Sequence, residues 1–320
     1  MDNLTFYDLE PSASSFRQEV LQGLVQSRKT IAPKFFYDRR GSQLFDQICT
    51  LPEYYPTRTE TSLLRQHGQE ISELVGPHSL VIEYGSGSSQ KIRLLLNALT
   101  APSGYMPIDI SRDHMLQSTC ELASQYPALE MAAVCADYTQ PFDLPLLKTQ
   151  PAKQRLLFFP GSTIGNLEPE AALRLLKQSA SLLERGGSLL LGVDLKKDPA
   201  ILHAAYNDAA GVTAAFNLNL LHRINRELNG NFNLETFRHY AFYNPAKGRV
   251  EMHLFSQQSQ CVQIGQTSVS FRAGETIHTE NSYKYTVEEF QEIAYLAGFT
   301  PIKTWIDDQQ LFSVYYLTVN

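Results

Sequence analysis

Apolar runs recur along the middle of this chain roughly 25 to 30 residues apart, with helix-patterned segments between them. They are "LVIEY" from Leu80, "YMPIDIS" from Tyr105, "LEMAAVCADY" from Leu129, "RLLFFPGSTIGN" from Arg155 and "GSLLLGVDLKK" from Gly187. Short continuous apolar runs suit strands buried on both faces of a parallel sheet, because crossover helices cover both sides. The clearest intervening helix is "EPEAALRLLKQSASLLERGG", where Pro169 fits the first turn and Gly186 the C-terminal stop. Strand alternating with helix predicts a doubly wound α/β sheet.

The first strand continues into "EYGSGSSQKIRLLL". Gly85 and Gly87 there allow positive φ and close approach of a ligand to the backbone. A dinucleotide fingerprint wants a third glycine three residues after Gly87, and that position is Gln90. The Gly-Lys-Ser/Thr of a P-loop is absent as well. The turn has a nucleotide-loop shape, fails both phosphate tests, and has a purely structural turn as its alternative. Each later strand also ends in a polar or glycine signal: Asp109, Asp137, Gly161 to Asn166, and Asp194. One such aspartate would be an N-cap or a turn. Five successive strand ends point instead to a crevice beyond the carboxyl edge of the sheet. Asp109, 22 residues beyond Gly87, can accept both hydroxyls of a ribose, and Asp137 with Tyr138 can hold the edge and face of an adenine. A nucleoside without a phosphate demand points to S-adenosylmethionine (SAM), with Gly85 and Gly87 facing its methionine part.

The tail agrees. "YTVEEFQEIAYLAGF" has Thr286 and Glu289 in capping-box spacing and Gly298 as a stop. Two strand patterns joined by "DDQQ" follow, as in the closing hairpin of a SAM-dependent methyltransferase sheet. Between Pro199 and Tyr285 the rhythm changes to one long helical stretch, "ILHAAYNDAAGVTAAFNLNLLHRINREL", and then alternating strands around the turn "YNPAKGR". The expectation is a class I, Rossmann-like methyltransferase domain over 60–198 and 285–320, with an α+β substrate-binding domain over 1–59 and 199–284.

Charge and composition narrow the partners. A formal net charge of −6 over 320 residues argues against nucleic acid, whose phosphates need a cationic surface. Cys49, Cys120, Cys135 and Cys261 are far apart, as expected of reduced thiols in the cytoplasm. The N-terminal "MDNLTFYDLEPSASSF" lacks the apolar core of a signal peptide, and no run of 18 apolar residues offers a membrane span. The eight histidines show no HxH or HExxH spacing, so no metal is expected.

Several long motifs carry a family likeness. "PKFFYDRRGSQLFDQICTLPEYYPTRTE", "EYGSGSSQKIRLLL", "PGSTIGNLEP", "YNDAAGVTAAFNLNLLHRINREL" and "TENSYKY" resemble the L-histidine Nα-methyltransferases of ergothioneine biosynthesis, in order and spacing from about Lys34 to Lys284. The resemblance implies three successive methyl transfers from SAM to the α-amino group of L-histidine, giving hercynine. It implies that Gly85, Lys91, Asp109, Asp137 and Tyr138 bind SAM. Tyr54, Gly161, Asn166 and Tyr206 would hold the amino acid's carboxylate and amine, with Tyr37 near the reacting nitrogen. Glu280 and Ser282 would read the imidazole, and Met252 would line that pocket. Tyr37 and Asn166 are the candidate catalytic groups, since neutral or acceptor partners suit an amine that must lose a proton before attack. No base is assigned, and a monomer is expected.

Each assignment has a plainer rival. "PEYYPTR" alone would be an aromatic loop on the core, Asn166 a cap, Tyr206 and Met252 core residues, and Glu280 with Ser282 a solvated strand face. Tyr84 and the pair Phe159-Pro160 are bulkier than the likeness leads one to expect, which bears on substrate choice. No further domain for carbon–sulfur bond formation is expected beside these two, so the expected product is the betaine. The rival functions are methylation of another amino acid or small amine, such as a tryptophan-like one, and SAM binding without turnover.

Overall fold

The computed structural model describes residues 3–9, 14–87, 90–147 and 152–320. In chain order the first elements are β1 (Leu4–Asp8), α1 (Ser14–Leu24), β2 (Lys29–Thr30), α2 (Arg39–Ile48), α3 (Tyr55–Val75) and β3 (Ser79–Tyr84). Next come α4 (Gln90–Ala98), β4 (Gly104–Asp109), α5 (Arg112–Gln125), β5 (Glu130–Cys135), β6 (Gln154–Phe159), α6 (Pro169–Leu183) and β7 (Ser188–Asp194). Then follow α7 (Pro199–Tyr206), α8 (Val212–Leu228), β8 (Phe237–Asn244), β9 (Arg249–Ser256), β10 (Gln260–Ile264), β11 (Thr267–Phe271) and β12 (Thr276–Tyr283). The tail is α9 (Val287–Leu296), β13 (Phe299–Ile306) and β14 (Phe312–Val319).

The chain forms two compact units, one of 1–11, 56–196 and 284–320, the other of 12–55 and 197–283. The first holds an eight-stranded sheet in the order β1-β5-β4-β3-β6-β7-β14-β13. Strands β1 to β7 of that sheet run parallel, while β14 and β13 are antiparallel. The strand order reverses between β3 and β6, the topological switch that opens a crevice at the carboxyl edge. Leu63, Leu64, Ile71 and Val75 of α3 and Ile92, Leu95 and Leu96 of α4 bury their apolar faces against Val81, Leu156, Phe158 and Leu190. This layering of helices on a mostly parallel sheet is the α/β architecture the strand rhythm predicts.

The unit boundaries differ from the sequence expectation at four places. Residues 1–11 belong to the sheet unit and not to the other, because β1 pairs in parallel with β5 and seats Leu4 and Phe6 against Met115, Ala133 and Cys135. Likewise 56–59 and Lys284 join the sheet unit, and 197–198 leave it. The long helical stretch after Pro199 is two helices: the Asp208 carboxylate accepts the N–H groups of Val212 and Thr213 at 2.8 Å, and Gly211 turns with φ +72°.

The second unit pairs a four-stranded sheet, β2-β12-β9-β8, with the hairpin β10-β11. Helix α8 buries Phe216, Leu220, Leu221 and Ile224. Asp38, the N-cap of α2, accepts from Gly41 N–H at 2.7 Å and Asn219 Nδ2 at 2.8 Å and ion-pairs with Arg226 at 2.6 Å. Burial would raise that carboxyl, but Arg226, Gly41 and Asn219 bring it below its usual range. The knot fixes the segment that presents Tyr37. Among the described residues no helix is long and apolar enough to cross a membrane.

Candidate active site

All five parallel strands β3 to β7 end on the same edge of the first unit's sheet, and the sequence signals lie there in turn. Gly85 follows β3 with φ +70°, and a Cβ placed on it would meet nothing within 4 Å. Gly87 does not adopt positive φ, so only the first glycine of the pair uses that freedom. Residues 88–89 of the loop lie outside the described residues. Lys91 opens α4 and pairs with Glu60.

Asp109 ends β4, its Oδ1 accepting the Ser111 N–H at 2.7 Å. Burial raises its carboxyl, and the main-chain N–H groups of Ser111, Ile110 and Ser86 work against that rise. Asp137 accepts the N–H of Thr139 at 3.0 Å, so it braces its own turn. Tyr138 stacks on Tyr84, ring centroids 4.8 Å apart and 8° from parallel, with Phe159 edge-on to both. The bulk at Tyr84 and Phe159 therefore backs Tyr138. Burial pushes the Tyr84 hydroxyl up to about 12 and that of Tyr138 higher still. A pocket of about 460 Å³ opens beside the stacked pair, with Phe142, Arg155 and Gln178 among its walls.

After β6 the chain turns sharply. Gly161 (φ +84°) and Ser162 (φ +59°) are consecutive left-handed residues, and a 3-10 turn over Thr163–Asn166 follows. Such backbone persists only where neighbours enforce it. Here Glu60 accepts the Gly161 N–H at 2.9 and 3.1 Å, and Ser162 Oγ accepts the Asp194 N–H at 2.9 Å. Glu83, one residue before Tyr84 and 2% exposed, accepts a hydrogen bond from Tyr105. Its carboxyl is pushed up to about 8, mainly by burial.

The second unit gathers a ring of aromatics. Tyr37 lies 5.7 Å from Phe45, Phe45 6.3 Å from Tyr54, and Tyr54 6.4 Å from Tyr206, all edge-on. Phe216 of α8 closes on Tyr37 and Phe45. The Tyr206 hydroxyl donates to Ser282 Oγ at 2.7 Å. Glu280 pairs in register with Met252, and Ser282 with Val250. Burial first, then the neighbouring Tyr206, Cys49 and Glu280, pushes the Tyr54 hydroxyl well up. Tyr55, beside it in the sequence, is buried as well, and its hydroxyl accepts a hydrogen bond from Lys197 Nζ at 2.6 Å.

The structure thus gathers Gly85, Gly87, Lys91, Asp109, Asp137, Tyr138, Gly161 and Asn166 at one sheet edge of the first unit. In the second it gathers Tyr37, Tyr54, Tyr206, Met252, Glu280 and Ser282. Sequence reasoning missed Glu60, Glu83, Phe45 and Phe216; all four lay inside quoted motifs, but which distant groups they would meet had no local signal. Cross-strand pairing also brings Glu251, His253 and His278 within 4.8 Å of one another. The Glu251 carboxylate there already accepts Arg249 Nε at 2.9 Å and Asn244 Nδ2 at 3.1 Å, so arginine balances its charge.

Residues 16–319 match the family of histidine-specific, SAM-dependent methyltransferases. The chain belongs to that family. Its relatives include the histidine N-alpha-methyltransferase of Mycolicibacterium smegmatis, 42% identical over 93% of this chain and 93% of that one. The enzyme of the same name from Mycobacterium tuberculosis is 40% identical over 92% of each. Ergothioneine biosynthesis protein 1 of Neurospora crassa is 29% identical over 84% of this chain and 31% of its own length. This member of the family is a methyltransferase whose methyl donor is SAM, built on the sheet described above.

Proposed function

We propose that this methyltransferase, acting as a cytoplasmic monomer, adds three methyl groups in succession to the α-amino nitrogen of L-histidine. The product is hercynine (Nα,Nα,Nα-trimethylhistidine), the first intermediate towards ergothioneine. The observation that supports the substrate reading best is the strand face carrying Glu280 and Ser282. Glu280 can accept a ring N–H, while Tyr206 donating to Ser282 Oγ orients Ser282 as a donor to the other ring nitrogen. An indole or phenyl ring would leave that pair unmatched, and buried polar groups left unpaired discriminate strongly. The mycobacterial and fungal relatives carry names that agree. Four free cysteines suit a reducing compartment.

SAM supplies an electrophilic methyl group on a sulfonium. In this reading Gly85, Gly87, Lys91, Asp109, Asp137 and Tyr138 hold it, and they fit. The open space at Gly85 admits close approach, and the Asp109 carboxylate, braced by N–H groups, suits a ribose diol. The rest is positioning and exclusion of water. Gly161, Tyr54 and Tyr206 hold the amino acid, and Met252 lines the ring pocket. Asn166 and Tyr37 are neutral groups of the type that lets an amine keep its lone pair. No side chain is assigned as general base.

The test is mass spectrometry of the purified chain with SAM and a mixture of the twenty amino acids. Additions of one, two and three methyl groups on histidine alone are expected. Glu280→Val should lower kcat/KM for histidine by about 10² or more. Methylation of a different amino acid, or unchanged histidine turnover in that variant, overturns the substrate reading.

A further inference from the structure

Glu60, on α3, has a cost and no assigned role. It is fully buried, with nothing exposed. A buried carboxylate is expensive unless its oxygens are well partnered, and an apolar residue would serve a purely structural position better. Its partners are Lys91 Nζ and the Gly161 N–H, the latter at 2.9 and 3.1 Å. One belongs to the helix that follows the glycine loop and the other to the strained turn that leads to Asn166. The surrounding backbone makes room for it: a Cβ on Gly192 of β7 would stand 2.2 Å from Glu60 Oε1. A Cβ on Gly161 would stand 3.8 Å from Lys91 Nζ, so the ammonium, the carboxylate and the turn are packed together.

We infer that Glu60 is a positioning residue for methyl transfer. It aims the Lys91 ammonium at the place where the α-carboxylate of SAM is received, and through the Gly161 N–H it sets the turn that presents Asn166. This rests on the reading above in which Lys91 contacts SAM. Removing the charge while keeping the shape frees Lys91 to leave its station. Removing the acceptor as well frees the turn.

The test measures SAM dissociation constants by calorimetry, kcat, and KM for histidine on the full chain and four variants: Glu60→Gln, Glu60→Leu, Lys91→Met and Glu60→Gln with Lys91→Met. Glu60→Gln should weaken SAM about tenfold while moving the histidine KM less than about threefold, because glutamine still offers an oxygen to Gly161. Glu60→Leu should in addition lower kcat, since the Gly161 N–H loses its acceptor. In the Lys91→Met background, Glu60→Gln should change SAM binding less than about twofold, because coupled groups are not additive. The double variant should also melt above Lys91→Met, which leaves the carboxylate buried and uncompensated.

Undisturbed SAM binding in folded Glu60→Gln, or penalties that multiply in the double variant, overturns the inference. Undisturbed SAM binding in Lys91→Met overturns the underlying reading of Lys91 as well, so the two failures are told apart. Should Glu60→Gln not fold, Glu60→Asp replaces it. That shorter side chain cannot reach both partners and should weaken SAM in the wild-type background and not in Lys91→Met.

Discussion

Glu83 shows how a single buried carboxyl sets a pH dependence. Burial pushes it up to about 8, Asp109 and Glu60 add to the rise, and Tyr105 and Lys91 oppose it. In the unfolded chain the same group titrates near its ordinary value of 4.5. The folded protein therefore binds this proton more tightly. Its contribution to stability is complete below the unfolded value and is lost as pH rises through the folded one. Glu83→Gln keeps a neutral side chain of the same shape, so the fall in Tm between about pH 5 and pH 9 should become shallower. A variant whose Tm falls as steeply as the parent's removes Glu83 from the account.

Elements matter because they bring such residues to one place. Helix α3 supplies Glu60, strand β7 supplies the glycine that admits it, and the turn after β6 supplies its N–H partner. Gly192→Ala would set a methyl group 2.2 Å from Glu60 Oε1 and 3.0 Å from a ring carbon of Phe312. Overpacking of this kind costs about 1–3 kcal/mol. For comparison, Thr286→Ala removes the capping box of α9, in which Thr286 and Glu289 bond each other's N–H groups, at about 1 kcal/mol. Both variants should melt lower than the parent, and only Gly192→Ala should also weaken SAM binding. Equal SAM affinity in the two would detach Gly192 from the cofactor side of the sheet.

For the whole molecule, the order of the chain and the order of its units are different things. The backbone passes between the two units at 11/12, 55/56, 196/197 and 283/284, so neither unit is one continuous piece of sequence. Strand β7, buried along its whole length, is flanked by β14, which arrives from the far end of the chain. A chain ending at residue 283 would leave β7 as a long apolar edge, the arrangement that invites aggregation. It should lose its cooperative thermal transition and bind a hydrophobic dye. A sharp melt at the parental temperature would show that the closing hairpin is dispensable.

Much of this was legible in local pattern. The period of apolar residues is a property of each segment, and it located β3 to β7, α6, the capped α9 and the closing hairpin, together with the polar residue after each parallel strand. The strand-end residues pointed to SAM, and the long motifs carried the family likeness and with it histidine. What they could not carry is which distant residues meet. The five residues of β1 have no intrinsic partner, and only the open edge of β5 makes them part of the sheet. Helical periodicity ran unbroken through Asp208, where a carboxylate taking up the first N–H groups of α8 separates two helices. Glu60 closes the quoted motif ending in "PTRTE", where nothing local marks it as buried, yet it is fully buried between a lysine 31 residues away and a backbone N–H 101 residues away. Local periodicity follows from backbone geometry and was written in the sequence itself. The partners of a buried charge follow from packing across the sheet, and only the tertiary structure decided them.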